Sequence, residues 1–96
     1  MTLNTESSVS AQQIRAARGL LGISAAELAN RASVNWKTVQ RFESAEEIPE
    51  SRSGTLGRVV AALEAAGIRF IGDPLTSPGV QLRIMDAPDI AGKSGA

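Results

Sequence analysis

Between Asn35 and Arg41 the chain brings together an amide, an indole, an ammonium, a hydroxyl, a second amide and a guanidinium, as Asn35, Trp36, Lys37, Thr38, Gln40 and Arg41. Groups of this kind hydrogen-bond to the edges of bases and to phosphate oxygens. Arg41 suits a bidentate contact with guanine, and Thr38 suits a thymine methyl or a phosphate. Trp36 has two readings: it stacks on a sugar-phosphate or meets a thymine methyl, or it is partly buried against the turn beside Val34. Catalysis has much less to work with. The sequence contains no Cys and no His, which removes disulfides, thiolate chemistry, imidazole acid–base catalysis and most zinc sites. A carboxylate pair, a glycine-rich phosphate loop and a nucleophile motif are all missing too, so we expect no enzyme, no catalytic or metal-binding residues and no cofactor.

These side chains need a short helix to hold them on one face. Asn35 is a good N-cap, and Val39 and Phe42, three apart, give the helix Asn35–Ser44 an apolar stripe opposite Trp36, Lys37, Gln40 and Arg41. Upstream, Ser24 can accept from the backbone at a helix start while Glu27, three residues on, reaches back, as in a capping box. Leu28, Ala29 and Ala32 then fall on one face at helical spacing. Only Ser33 and Val34 separate the two runs. Two short helices joined by a tight turn are predicted.

At these residues the chain resembles the lambda-repressor and Cro-like (XRE-type) helix-turn-helix regulators. Ala29 takes the small residue where the two helices cross, Val34 the apolar residue after the turn, and Val39 and Phe42 the inward residues of the second helix. Ile14-Arg15-Ala16-Ala17-Arg18 and Gly22-Ile23-Ser24 resemble the first helix and its lead into the next, and Glu43 the acidic residue that ends the recognition helix. The likeness covers residues 11 to 67. It implies a mainly α fold, a lambda-repressor-like bundle of four helices, here extended by a C-terminal β-hairpin or strand segment. It also implies a partly buried ion pair between Arg18 and Glu43. Three positions depart from the pattern. Ser33 stands where Gly is usual, so it must take a positive φ or close the turn differently. Ala25 occupies the start of the second helix, where a DNA-contacting Gln is frequent, and Ser44-Ala45 replace a Gly after the recognition helix.

The remaining chain divides by pattern. Residues 1–9 are polar and aperiodic and read as a flexible arm. Ser10 can cap a helix from Ala11 to about Leu21, with Ile14, Ala17, Leu20 and Leu21 inward, Gln12, Arg15 and Gly19 outward, and Gly22 ending it. The acidic, proline-broken run Ala45–Glu50 reads as loop with Ile48 tucked inward. Thr55 can cap a fourth helix through Ala66, striped by Leu56, Val59, Val60 and Leu63, with Gly67 as C-cap. The helix-turn-helix domain is thus expected over 10–67. From Ile68 the period changes to two: Ile68–Ile71 and Val80–Ile84 alternate as half-buried strands do. A lone hairpin is marginal in water. Segment 68–84 is therefore expected to pack on the helices or on another chain, and to serve as a dimerisation element. Residues 85–96 read as a disordered tail.

The 96 residues carry ten basic and ten acidic side chains. Within 11–58, however, Arg15, Arg18, Arg31, Lys37, Arg41, Arg52 and Arg58 outnumber Glu27, Glu43, Glu46, Glu47 and Glu50 by two, a mildly favourable balance for phosphate binding. The sequence has neither a membrane-spanning apolar run nor the basic and apolar start of a signal peptide, and a cytoplasmic location is expected. The expected function is sequence-specific, dimeric DNA binding by a transcriptional regulator through the helix Asn35–Ser44 in the major groove. The DNA-contacting set is Ala25, Asn35, Trp36, Lys37, Thr38, Gln40 and Arg41, with Arg52 and its neighbouring hydroxyl Ser53 on the backbone. The implied partners are double-stranded DNA and a second copy of the chain, with RNA polymerase or another regulator as a further candidate and no membrane. The alternative is a protein-binding module, antitoxin-like or an anti-activator, that keeps the helices as scaffold.

Overall fold

The computed structural model describes residues 9–46, 48–49 and 54–84. Their elements are α1 (Ala11–Leu21), α2 (Ala25–Ala32), α3 (Trp36–Glu43), α4 (Thr55–Ala65), β1 (Ile68–Ile71) and β2 (Gly79–Leu82). The fold is mainly helical with one small antiparallel sheet.

Each helix boundary has a local cause. At α1 the Ser10 hydroxyl accepts from the Gln13 amide at 3.2 Å while Gln13 Oε1 accepts from the Ser10 amide at 2.9 Å, so the reciprocal capping box forms here. Ser24, where the sequence suggested such a box, caps α2 from one side only. Its hydroxyl accepts from the Glu27 amide, but the Glu27 carboxylate turns away to Arg31, one turn on, at 3.0 Å. A charged i,i+4 partner competes successfully with the backbone there. Gly22 closes α1 in the left-handed region, and Ser33 does the same for α2 with φ 58°. Ser33 thus supplies the turn usually left to glycine at the cost a Cβ imposes there. In return its conformation lets the Val34 amide reach the Ala29 carbonyl at 3.0 Å. Gly54, with φ 77°, holds the N-cap position of α4 that the sequence gives to Thr55, so the helix starts at Thr55, one residue earlier than expected. At the other end Ala66 is the C-cap and Gly67 follows it at φ 107°. A Cβ at Gly67 would collide with the Arg83 carbonyl.

The core takes one stripe from every helix: Ile14 and Ala17, Leu28, Ala29 and Ala32, Val39 and Phe42, and Leu56, Val59, Val60 and Leu63. Phe42, Ile14, Leu28 and Leu63 are its largest fully buried side chains. Truncating an aromatic at such a position costs about 3–5 kcal/mol. Val9 also joins the core, so it does not belong to the arm the sequence suggested, whose residues 1–8 lie outside the described structure. Leu20 goes the other way: it is 47% exposed rather than inward. It shares a helical row with Ala16, which is exposed as well. Ile48 is half-buried, as expected, and Pro49 beside it is buried.

β1 and β2 pair within the chain, with Ile68 opposite Leu82, Arg69 opposite Gln81, Phe70 opposite Val80 and Ile71 opposite Gly79. Ile68 is buried, and Phe70, Val80 and Leu82 pack against the same core. The helices therefore cover the apolar face of the hairpin, the first of the two placements expected for this segment. Ile84 is not part of that face; it lies past the end of β2 and is 64% exposed. Gln13, buried in α1, fastens the hairpin: its Nε2 donates to the carbonyls of Ile71 at 3.1 Å and Gly79 at 2.9 Å. In the connecting loop the Asp73 carboxylate accepts from the amides of Leu75 and Thr76, which holds its pKa below the usual aspartate range. Residues 85–96, expected as a tail, lie outside the described residues.

Candidate functional site

The site is built on α3 and braced from α1. Val39 and Phe42 anchor α3 in the core, so the opposite face must look outward. Lys37, Gln40, Arg41 and Ser44 share that face at i, i+3, i+4 and i+7 spacing, and Trp36 flanks it at the first turn. Asn35 caps the helix through Oδ1, which accepts from the Lys37 amide at 2.7 Å. That leaves the start of α3 fixed and Lys37 oriented by the backbone.

A bidentate ion pair sets the angle of α3 against α1. Arg18 Nε donates to Glu43 Oε2 at 2.8 Å and Nη2 to Oε1 at 2.9 Å, while Nη1 donates to the Ile23 carbonyl at 3.1 Å. One guanidinium thereby ties the end of α3 to the α1–α2 turn. The hydrogen bond to Glu43 raises the Arg18 pKa, more than partial burial lowers it. Such a fork is more directional than a lysine contact would be.

The exposed face borders an open concavity of about 590 Å³ lined by Arg15, Lys37, Gln40, Arg41, Glu43 and Ser44. Arg15 enters from α1 and donates through Nη1 to the Glu43 carbonyl. The Arg41 guanidinium lies 5.1 Å from the Phe42 ring centroid, a cation–π arrangement that restrains it while leaving its N–H groups toward solvent. The Ser44 hydroxyl donates to the Gln40 carbonyl at 2.9 Å. Among the described residues Glu43 is the single acid on this wall, and Arg18 already matches its charge. A second concavity of about 580 Å³, between the end of α4 and the open end of the hairpin, sets Glu64 against Arg69 and Arg83, so opposite charges share its wall.

The residues singled out in the sequence fall into three groups. Asn35, Trp36, Lys37, Gln40 and Arg41 are exposed on or beside α3, Trp36 by 45%, and Thr38 is half-buried next to them. Ala25 is half-buried against the core and offers no polar side chain. Arg52 and Ser53 lie outside the described residues. Arg15 was read only as an outward residue of α1. Its part in this surface depends on how α1 crosses α3, and nothing in the local spacing signals that. Among the described residues no group of carboxylates could hold a metal ion, and no helix is long and apolar enough to cross a membrane. No protein-family model matches the chain, and none of the curated proteins compared with it does.

Proposed function

We propose that the chain is a sequence-specific DNA-binding transcriptional regulator of the lambda-repressor-like helix-turn-helix kind, acting as a homodimer, with no catalytic role. The observation that carries this reading is the division of α3 into two faces. Val39 and Phe42 are fully buried, while Trp36, Lys37, Gln40 and Arg41 are turned together to solvent beside a cationic concavity. The tight Ser33 turn and the Arg18–Glu43 brace fix α3 relative to α2 and α1, the rigidity a reading helix requires. In the major groove Arg41 faces base edges, Lys37 meets phosphates, Thr38 and Gln40 stand between them, and Trp36 lies against sugar or a thymine methyl. Two copies place two such helices one helical turn apart, ~34 Å, which strengthens binding by a chain whose charges cancel overall. A cytoplasmic setting and contact with RNA polymerase or another regulator belong to the same reading.

The half-buried Ala25 favours the second reading, a protein-binding module, because the start of α2 has no polar side chain there to grip a phosphate. A titration with mixed-sequence duplex separates the two, read through the fluorescence of Trp36, the single Trp of the chain. DNA binding predicts an affinity that falls steeply and log-linearly with salt. Absence of any salt-sensitive duplex binding would leave the protein-binding module as the better reading.

A further inference from the structure

We infer that the concavity between α1 and the last turn of α3 seats a DNA backbone phosphate, with Arg15 as its ligand from the first helix. This rests on the DNA-binding reading above and extends the contact beyond α3. The Arg15 guanidinium is held at the mouth of the concavity by its Nη1 bond to the Glu43 carbonyl. One of its five N–H groups is committed there, which leaves the rest of a rigid fork beside Lys37, Gln40 and Arg41. Among the described residues none of Arg15, Lys37 and Arg41 has a carboxylate within ion-pair distance, whereas Arg18 and Arg31 each have one. Among the described residues, then, three cations without a carboxylate partner line one hollow, and the one acid lining it, Glu43, is paired with Arg18.

A phosphodiester matches this arrangement. The guanidinium fork takes two phosphate oxygens, the lysine adds a compact charge and the arginines lose little freedom on binding. Position matters as well. The end of α3 presents carbonyls, which repel an anion. By covering the Glu43 carbonyl, Arg15 turns a repulsive helix end into an acceptable one. If Arg15 served only as a counter-charge to that helix end, removing it would lower thermal stability and leave the salt dependence of DNA binding untouched.

The test compares the full chain with Arg15→Gln and Arg15→Lys in titrations with a mixed-sequence duplex over a range of salt, alongside thermal melts. For Arg15→Gln the expected result is a small drop in melting temperature from the lost bond to the Glu43 carbonyl, and, as the deciding readout, weaker binding with a plot of log affinity against log salt shallower by about 0.9, one phosphate contact. Arg15→Lys keeps the slope and loses affinity several-fold, since it keeps the charge without the fork. A slope for Arg15→Gln equal to the parent's overturns the inference while the DNA-binding reading stands. Should Arg15→Gln fail to fold, Arg15→Lys decides alone, and an affinity equal to the parent's at every salt overturns it. Failure of the parent itself to bind duplex sinks both.

Discussion

Arg41 on α3 and Arg18 on α1 show how one residue type takes opposite parts. Arg41 is exposed, and its guanidinium lies against the Phe42 ring. Arg41→Ala should therefore leave the fold intact, since an exposed cation–π contact is worth no more than about 1 kcal/mol. Specific DNA binding should weaken by about 1–3 kcal/mol, measured as affinity for a selected site. Undiminished binding would show that Arg41 reads no base. Arg18 is the structural counterpart, with all three of its nitrogens bonded. Replacing Arg18 or Glu43 alone leaves a partly buried charge without its partner, a loss of about 1–3 kcal/mol. Replacing both should cost less than the sum of the single losses, and strictly additive melting data would refute the coupling. Because the folded Arg18 pKa is raised, its contribution is complete at every pH below the unfolded-state value, the neutral range included, and is lost as the pH rises from there through the folded value.

At the scale of elements, the helices were readable because local signals and burial agree. Ser10, Ser24 and Asn35 stand where caps are needed, and the stripes Val39-Phe42 and Leu56-Val59-Val60-Leu63 are buried as their spacing implies. Misreadings arose where a residue had two possible partners. Glu27 can bond back to the backbone or forward to Arg31 and takes Arg31, while Ser10 and Gln13 have the same capping-box spacing as Ser24 and Glu27 and close the box. The seating of the hairpin was not legible, because it depends on Gln13 reaching strand carbonyls far along the chain. For that reason Gln13→Ala is the sharpest test of the α1–hairpin joint. It leaves the Ser10 amide and the Ile71 and Gly79 carbonyls without this partner, an expected loss of about 1–3 kcal/mol. Hydrogen exchange should report it as faster exchange in β1 and β2 than in α4; uniform acceleration would mean the joint is not local.

For the whole molecule, intrachain pairing of the strands narrows how two copies can meet. Val60 and Leu63 are buried, so the apolar stripe of α4 is taken up by the core and is not open to a second copy. Within 68–84 the large apolar side chains still exposed are Ile71, Leu75 and Ile84. In the proposed dimer these make the contact. Paired Leu75→Glu and Ile84→Glu substitutions should then halve the solution mass with little change in melting temperature, because neither residue is in the core. A double variant that stays dimeric would place the contact elsewhere. Truncation after Gly67 is a poorer test, since it would also uncover core that Ile68 and Phe70 now shield.

The most direct measurement of the central claim is selection of bound sites from a random duplex library by the full chain, followed by sequencing. The division of α3 into a buried and a reading face predicts one enriched motif made of two related half-sites whose centres are about one helical turn apart. It also predicts that Arg41→Ala relaxes the preference at one position of each half-site. A library returned without enrichment, from protein that is folded and binding at low salt, would contradict sequence-specific recognition by this helix.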